Sequence, residues 1–327
     1  MKFKVKYTKL GNQFFFISNL TEWHFSCRKS YNRKWIEETG PLNYQEKEAL
    51  REFSRIMRKY TFRQKNKVDV YLGIPFITFS NILVWKKIIK WVNKKEYPRI
   101  KEIFAIFSPR FEKIWQSNYK RLNEIKSKLK RELGKEKNIE ILKIFSTLFN
   151  NKELLNKDIE IYLLLSPQKE WMGGGANIGP KSITLECSDI KGNNLSRSLL
   201  IIFHEIAHLF EQKGFNLLLK RYINNLNKEE KERIKKSKVY QEVKDTKIII
   251  NEMTASSLLP EGYLSKRLTG KKILISPVKK QRTFKGLRHY AAYCLYPLIK
   301  EYVEQQKPFD DIFIQKTFQL FKKFEGL

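Results

Sequence analysis

The stretch LLIIFHEIAHLFEQ, residues 199–212, constrains the fold more than any other part of the chain. Its apolar members Leu199, Leu200, Ile202, Phe203, Ile206, Leu209 and Phe210 cover most of the circumference of an α-helix. Such a helix has no face to give to water and belongs in a core. Into that core it carries two of the chain's four histidines, His204 and His208, together with Glu205. The i, i+4 spacing puts both imidazoles on one face, one turn apart, where they can reach a single ion at about 2.0–2.1 Å. Glu205 lies about 100° round the helix from His204, beside the ligands and free to hold a water. Two buried core histidines with no metal are the bland alternative. Against it, multiplying residue frequencies yields H-E-x-x-H by chance roughly 0.004 times in such a chain. Burying two imidazoles and a carboxylate without a shared partner is also costly, and a bound ion offsets that cost.

The helix is expected to start near Asn194 or Ser196, both good N-caps, and to stop at Gly214. A tetrahedral site needs a third protein ligand and an open position. The extended motif H-E-x-x-H-x-x-G-x-x-H is excluded, because Glu211 occupies its glycine place and Gly214 its last histidine place. His289 is the only later histidine. Glu252, in IIINEMTASSLLP, is the better candidate: an apolar lead-in ends at Asn251-Glu252 and a helix continues through Ser256. Asp245 and Glu242 are the fallbacks, and an ordinary acid near a helix start is the plain reading of Glu252.

With H-E-x-x-H at 204–208 and N-E-x-x-A at 251–255, the chain resembles the gluzincins, the zinc metallopeptidases that include thermolysin and the aminopeptidase N group. The resemblance covers residues 155–300 and nothing in 1–150. It implies Zn2+ held by His204, His208 and Glu252, with Glu205 as general base and a peptide or protein as substrate. It also implies an antiparallel edge strand that pairs with the substrate backbone. MGGGANIG, residues 172–179, is its nearest counterpart, making Gly174, Gly175, Ala176 and Asn177 candidate substrate-binding residues. An oxyanion donor is expected from FKGLRHYAAYCLYP, where His289 and Tyr293 share a helical face. Two departures stand out. Forty-three residues lie between His208 and Glu252, so the charged segment 226–247 must pack away from the site, and Ser256 stands where thermolysin-like enzymes have a histidine-orienting aspartate.

Around this core the pattern predicts an α+β, mostly helical chain: a zincin-like catalytic core with a small antiparallel sheet and an active-site helix, preceded by a helical body. The expected division is 1–150, mainly helical after an initial β-hairpin, and 151–327, the metallopeptidase domain. Phe3, Val5 and Tyr7 alternate with lysines, LGNQ turns, and FFFIS returns, which reads as that hairpin. Apolar spacing is helical from Asn43 to about Asn150, interrupted by VDVYLGIPFITF, a possible strand. IEIYLLLS and SITLECS read as strands joined by a glycine-rich connection.

Three cysteines, Cys27, Cys187 and Cys294, are odd in number and never form a C-x-x-C pair, which argues against disulfides or a cysteine zinc site. His24 and Cys27, in EWHFSC, have metal-ligand spacing but no second pair. No leader or membrane-spanning run is evident, so a cytoplasmic location with no membrane partner is the expectation. The charge, 65 Lys+Arg against 34 Asp+Glu for a net +31, invites nucleic acid as a partner. The lysines are nevertheless scattered through nearly every segment, as coding bias would scatter them. Two other readings thus stay open: a basic nucleic-acid-associated protein with a zincin fold, and a catalytically silent zinc scaffold.

Overall fold

A computed structural model of the chain describes residues 2–23, 27–60, 73–167, 174–175, 181–187, 194–270 and 282–327. These residues are mostly helical, with four short strands. They fall into two compact units. Lys4–Lys130 with Glu160–Gly192 form one, and Met1–Phe3, Arg131–Ile159 and Asn193–Leu327 the other. This grouping runs differently from a boundary at residue 150. Among the described residues, no helix is long and apolar enough to cross a membrane.

The first unit contains the sheet, whose strands β1 (Phe3–Lys6), β2 (Ile159–Leu165), β3 (Gly174–Gly175) and β4 (Ser182–Cys187) lie in the order β1-β2-β4-β3. β2 and β4 run parallel, Glu160 opposite Ser182 through Leu165 opposite Cys187. Gly174 and Gly175 pair antiparallel with Leu185 and Thr184. The expected small antiparallel sheet is thus corrected to a mixed one built on a parallel pair. The reason is burial: β4 is buried throughout and β2 nearly so. Strands buried along their length in this way suit a parallel pair covered on both faces.

The N-terminal hairpin is also overturned. After β1, Thr8 accepts a hydrogen bond from the Gly11 amide and caps a helix over Lys9–Thr21 that absorbs FFFIS. Leu10, Phe14, Ile17 and Leu20 are buried at helical spacing, so packing overrides the strand-like composition. Asn12 on this helix donates to the Leu163 carbonyl at 3.2 Å and accepts from the Leu165 amide at 2.6 Å, mimicking a strand's pairing with β2. Phe14 stacks on Phe76 and Phe76 on Phe104, at centroid distances of 4.8 and 5.0 Å. Phe76 belongs to a short helix, Gly73–Thr78. The second half of VDVYLGIPFITF is therefore helical, while Val68–Leu72 lie outside the described residues.

The second unit is helical throughout its described residues apart from the strand ends it shares. Its centre is the helix Asn194–Glu211. Ile202, Phe203, Ile206, Ala207 and Phe210 on it are fully buried, and Phe145 packs edge-on against Phe210 at 5.8 Å. Gly214 does not stop this helix but opens the next, Gly214–Asn225. A Cβ there would come within 3.0 Å of the Phe149 carbonyl, so the glycine serves close approach rather than a left-handed turn. The charged segment after it folds into helices Lys228–Lys236 and Lys238–Val243. Buried Ile234 and Val239 dock it, and buried Glu325 accepts from the amides of Lys238 and Val239.

Candidate metal centre

Three helices of the second unit build the site. The histidine helix supplies His204, Glu205, His208 and Glu211. The helix Thr246–Leu258 supplies Glu252, and the helix Phe284–Cys294 supplies Arg288. The Glu252 helix packs against both others. Its start is fixed by Asp245, whose carboxylate accepts from the amides of Lys247 and Ile248, and Glu242 accepts from the Phe284 amide. Both fallback ligands are thus engaged in capping.

His204 Nδ1 lies 2.8 Å from the carbonyl oxygen of Leu259, at the end of the Glu252 helix. A carbonyl can only accept, so Nδ1 carries the hydrogen and Nε2 presents a lone pair. His208 Nδ1 lies 2.9 Å from Glu211 Oε2, and its Nε2 faces His204 Nε2 at 3.3 Å. The Glu252 carboxylate completes the triangle, with Oε2 3.5 Å from His204 Nε2 and Oε1 3.3 Å from His208 Nε2. The three ligand atoms of His204, His208 and Glu252 all lie within 4.8 Å of one another. Both histidines are more enclosed than Glu252: their side chains are 6% and 11% exposed against 22%.

Lone pairs crowded in this way need a positive charge between them. Arg288 brings one beside them. Burial alone would lower His208, but the charges and hydrogen bonds of Glu211 and Glu252 outweigh burial and raise it well above the ordinary histidine value. Burial would likewise raise Glu252, yet the charge of His208, close contacts with both histidines and the Arg288 charge hold it well below the usual carboxylate range. Glu211 goes the other way: enclosure raises it, partly opposed by His208. Arg288 Nε lies 3.2 Å from Glu252 Oε2 but directs its hydrogen to Ser256 Oγ at 3.1 Å. Glu252 Oε2 is thereby left buried with no hydrogen bond, an orphaned oxygen turned toward the histidines. Two imidazole nitrogens and one such carboxylate form a group that could hold a metal ion.

Glu205 is half-buried, and among the described residues no hydrogen bond or ion pair engages its carboxylate. His289 and Tyr293 follow Arg288 on its helix but are placed differently. His289 Nδ1 pairs with Glu261 at 2.6 Å, and Tyr293 is 51% exposed. Pro297 sits in the first turn of the following helix, Tyr296–Glu304. Gly174 and Gly175 form edge strand β3 in the other unit, whereas Ala176, Asn177 and His24 lie outside the described residues. Cys27, Cys187 and Cys294 form no disulfide. Two site residues escape sequence reasoning. Glu211 leaves a signal, an acid three residues after His208 in an otherwise apolar helix; Arg288 leaves none.

The chain matches no protein-family model, no curated protein and no solved structure. Its function must therefore be argued from the site itself.

Proposed function

We propose that the chain is a zinc-dependent metallopeptidase in which His204, His208 and Glu252 hold the ion and Glu205 is the general base. One observation carries the reading: the ligand atoms of His204, His208 and Glu252 converge within 4.8 Å, while Glu205, one residue along the same helix, keeps an unengaged carboxylate. An ion at this site would supply Lewis acidity, polarising a carbonyl and easing loss of a proton from water. Glu205 takes that proton as the water oxygen bonds to the carbonyl carbon and the carbonyl π pair moves to oxygen. When the C–N bond breaks, the proton passes to the leaving nitrogen. Amide and water thus become carboxylic acid and amine, and the acid's remaining proton passes to the amine to give carboxylate and ammonium.

Three protein ligands leave a tetrahedral ion one open position, which supports a catalytic over a scaffold role. Among the described residues, no fourth His, Cys, Asp or Glu joins the group. The test is metal content and peptide-library hydrolysis of the purified chain and of Glu205→Gln. The variant is expected to keep about one zinc and to lose about 10²–10⁴-fold in rate, since an amide cannot accept the proton. Unchanged turnover in Glu205→Gln, or a parent chain that holds no metal, would refute the proposal.

A further inference from the structure

Arg288 is the one cationic side chain among the described residues that touches the ligand set, and its contacts are specific. Nη2 lies 3.3 Å from His204 Nε2, the nitrogen assigned to the metal, while Nε donates to Ser256 Oγ at 3.1 Å. The two ends of the guanidinium therefore have different fates. The Ser256 bond lies outside the ligand triangle and persists when an ion binds. The His204 contact cannot persist, because the Nε2 lone pair is then committed. An N–H is released next to the ion on a group already anchored through Nε and charge-balanced by Glu252 Oε2 at 3.2 Å. The Arg288 side chain is also 35% exposed, more than His204, His208 or Glu252, so it borders the solvent side from which a substrate arrives.

We propose that Arg288 binds the oxygen of the scissile carbonyl and stabilises the negative charge that develops there as water adds. The proposal rests on the metallopeptidase reading above. It moves the oxyanion role from His289 and Tyr293, the first of which is tied to Glu261 and the second half-exposed, to the neighbour that reaches the metal ligands. A guanidinium suits an oxyanion because it stays charged and presents its donors in a fixed plane. Held in place before the reaction, it stabilises the charge without having to reorganise.

The test compares two ligands on the zinc-loaded chain by calorimetry. One is a phosphonic peptide, whose tetrahedral anionic oxygens imitate the reacting carbonyl. The other is a thiol-capped peptide of the same sequence, which ligates through sulfur and offers no such oxygen. In Arg288→Ala the phosphonic peptide is expected to bind about 100-fold more weakly, the loss typical of one oxyanion donor. The thiol peptide should bind as to the parent, which also reports an intact fold. Arg288→Lys should fall between, having charge but no fixed fork, and it replaces the alanine variant if that one fails to fold. Zinc affinity, measured by chelator competition, should be unchanged or tighter in both variants, because a cation beside a ligand has been removed or loosened. Equal phosphonic-peptide binding in parent and variant overturns the assignment and leaves the metal site standing. Loss of zinc from Arg288→Ala also overturns it, since Arg288 would then be part of the scaffold. A parent chain without zinc overturns the metallopeptidase reading beneath it.

Discussion

Replacing Glu211 tests whether this core is shaped for metal binding or for stability. Glu211 is 1% exposed; Oε2 meets His208 Nδ1 at 2.9 Å, and Oε1 is buried without a partner. The hydrogen bond keeps the proton on Nδ1 and leaves Nε2 bare for an ion. Glu211→Leu removes the acceptor. The buried N–H is then left unmet, at about 1–3 kcal/mol, or the proton moves to Nε2 and blocks the ligand. Outer partners of this kind typically contribute 10–100-fold to metal affinity, or about 1.4–2.7 kcal/mol. Stability should respond less. A carboxylate enclosed with one oxygen unsatisfied is expensive, and removing it offsets part of the cost of the unmet N–H. The measurements are zinc affinity by chelator competition and the thermal midpoint of the metal-free chain. Glu211→Leu should bind zinc about 10–100-fold more weakly with a metal-free midpoint that changes little. Glu211→Gln, which keeps an acceptor and loses the charge, should lie between the leucine variant and the parent. A lower midpoint with unchanged zinc affinity would refute the reasoning and make Glu211 a residue of the fold.

The choice of third ligand is tested by a contrast: Glu252→Gln should weaken zinc binding by removing an anionic ligand, whereas His289→Ala should leave zinc bound, and zinc content by atomic absorption separates the two. The reverse pattern would make His289 the third ligand. A second test lies far from the site. Burial pushes the Glu46 carboxyl up, but hydrogen bonds from Arg110 and the Asn43 amide, with the Arg110 charge, outweigh it and hold Glu46 below its ordinary value. A depressed carboxylate contributes stability that is fully present above its unfolded pKa, about 4.3 for Glu, and is lost as pH falls through the folded value. The stability gap between the parent and Glu46→Gln in urea should therefore be large at neutral pH and shrink under acid. A gap independent of pH would contradict the assignment.

What the sequence discloses about the site follows from how local each piece is. His204, Glu205 and His208 lie on one helix, and helical geometry alone fixes their relative placement. Glu252 is legible because its own helix carries a second short pattern. The sheet is less so. Composition marks β2 and β4 as strands, but whether two strands run parallel depends on the path of the connection between them, which residue types specify weakly. The N-terminal hairpin fails for a different reason: aromatic residues at 14–16 have strand propensity, and a cap at Thr8 with helical burial overrides it. Arg288 marks the far limit. It lies 84 positions from His204 and 36 from Glu252, in a stretch whose histidine and tyrosines look chemically richer. Its place beside the candidate ligands arises only where the Phe284–Cys294 helix packs on the Glu252 helix and brings Ser256 beneath its Nε, a juxtaposition made by tertiary packing. The candidate ligands belong to short-range patterns, while the group that would meet the substrate belongs to the packing between helices. For that reason a motif alone points to a group that could hold a metal, and the three-helix arrangement is needed to say which side chain lies beside it.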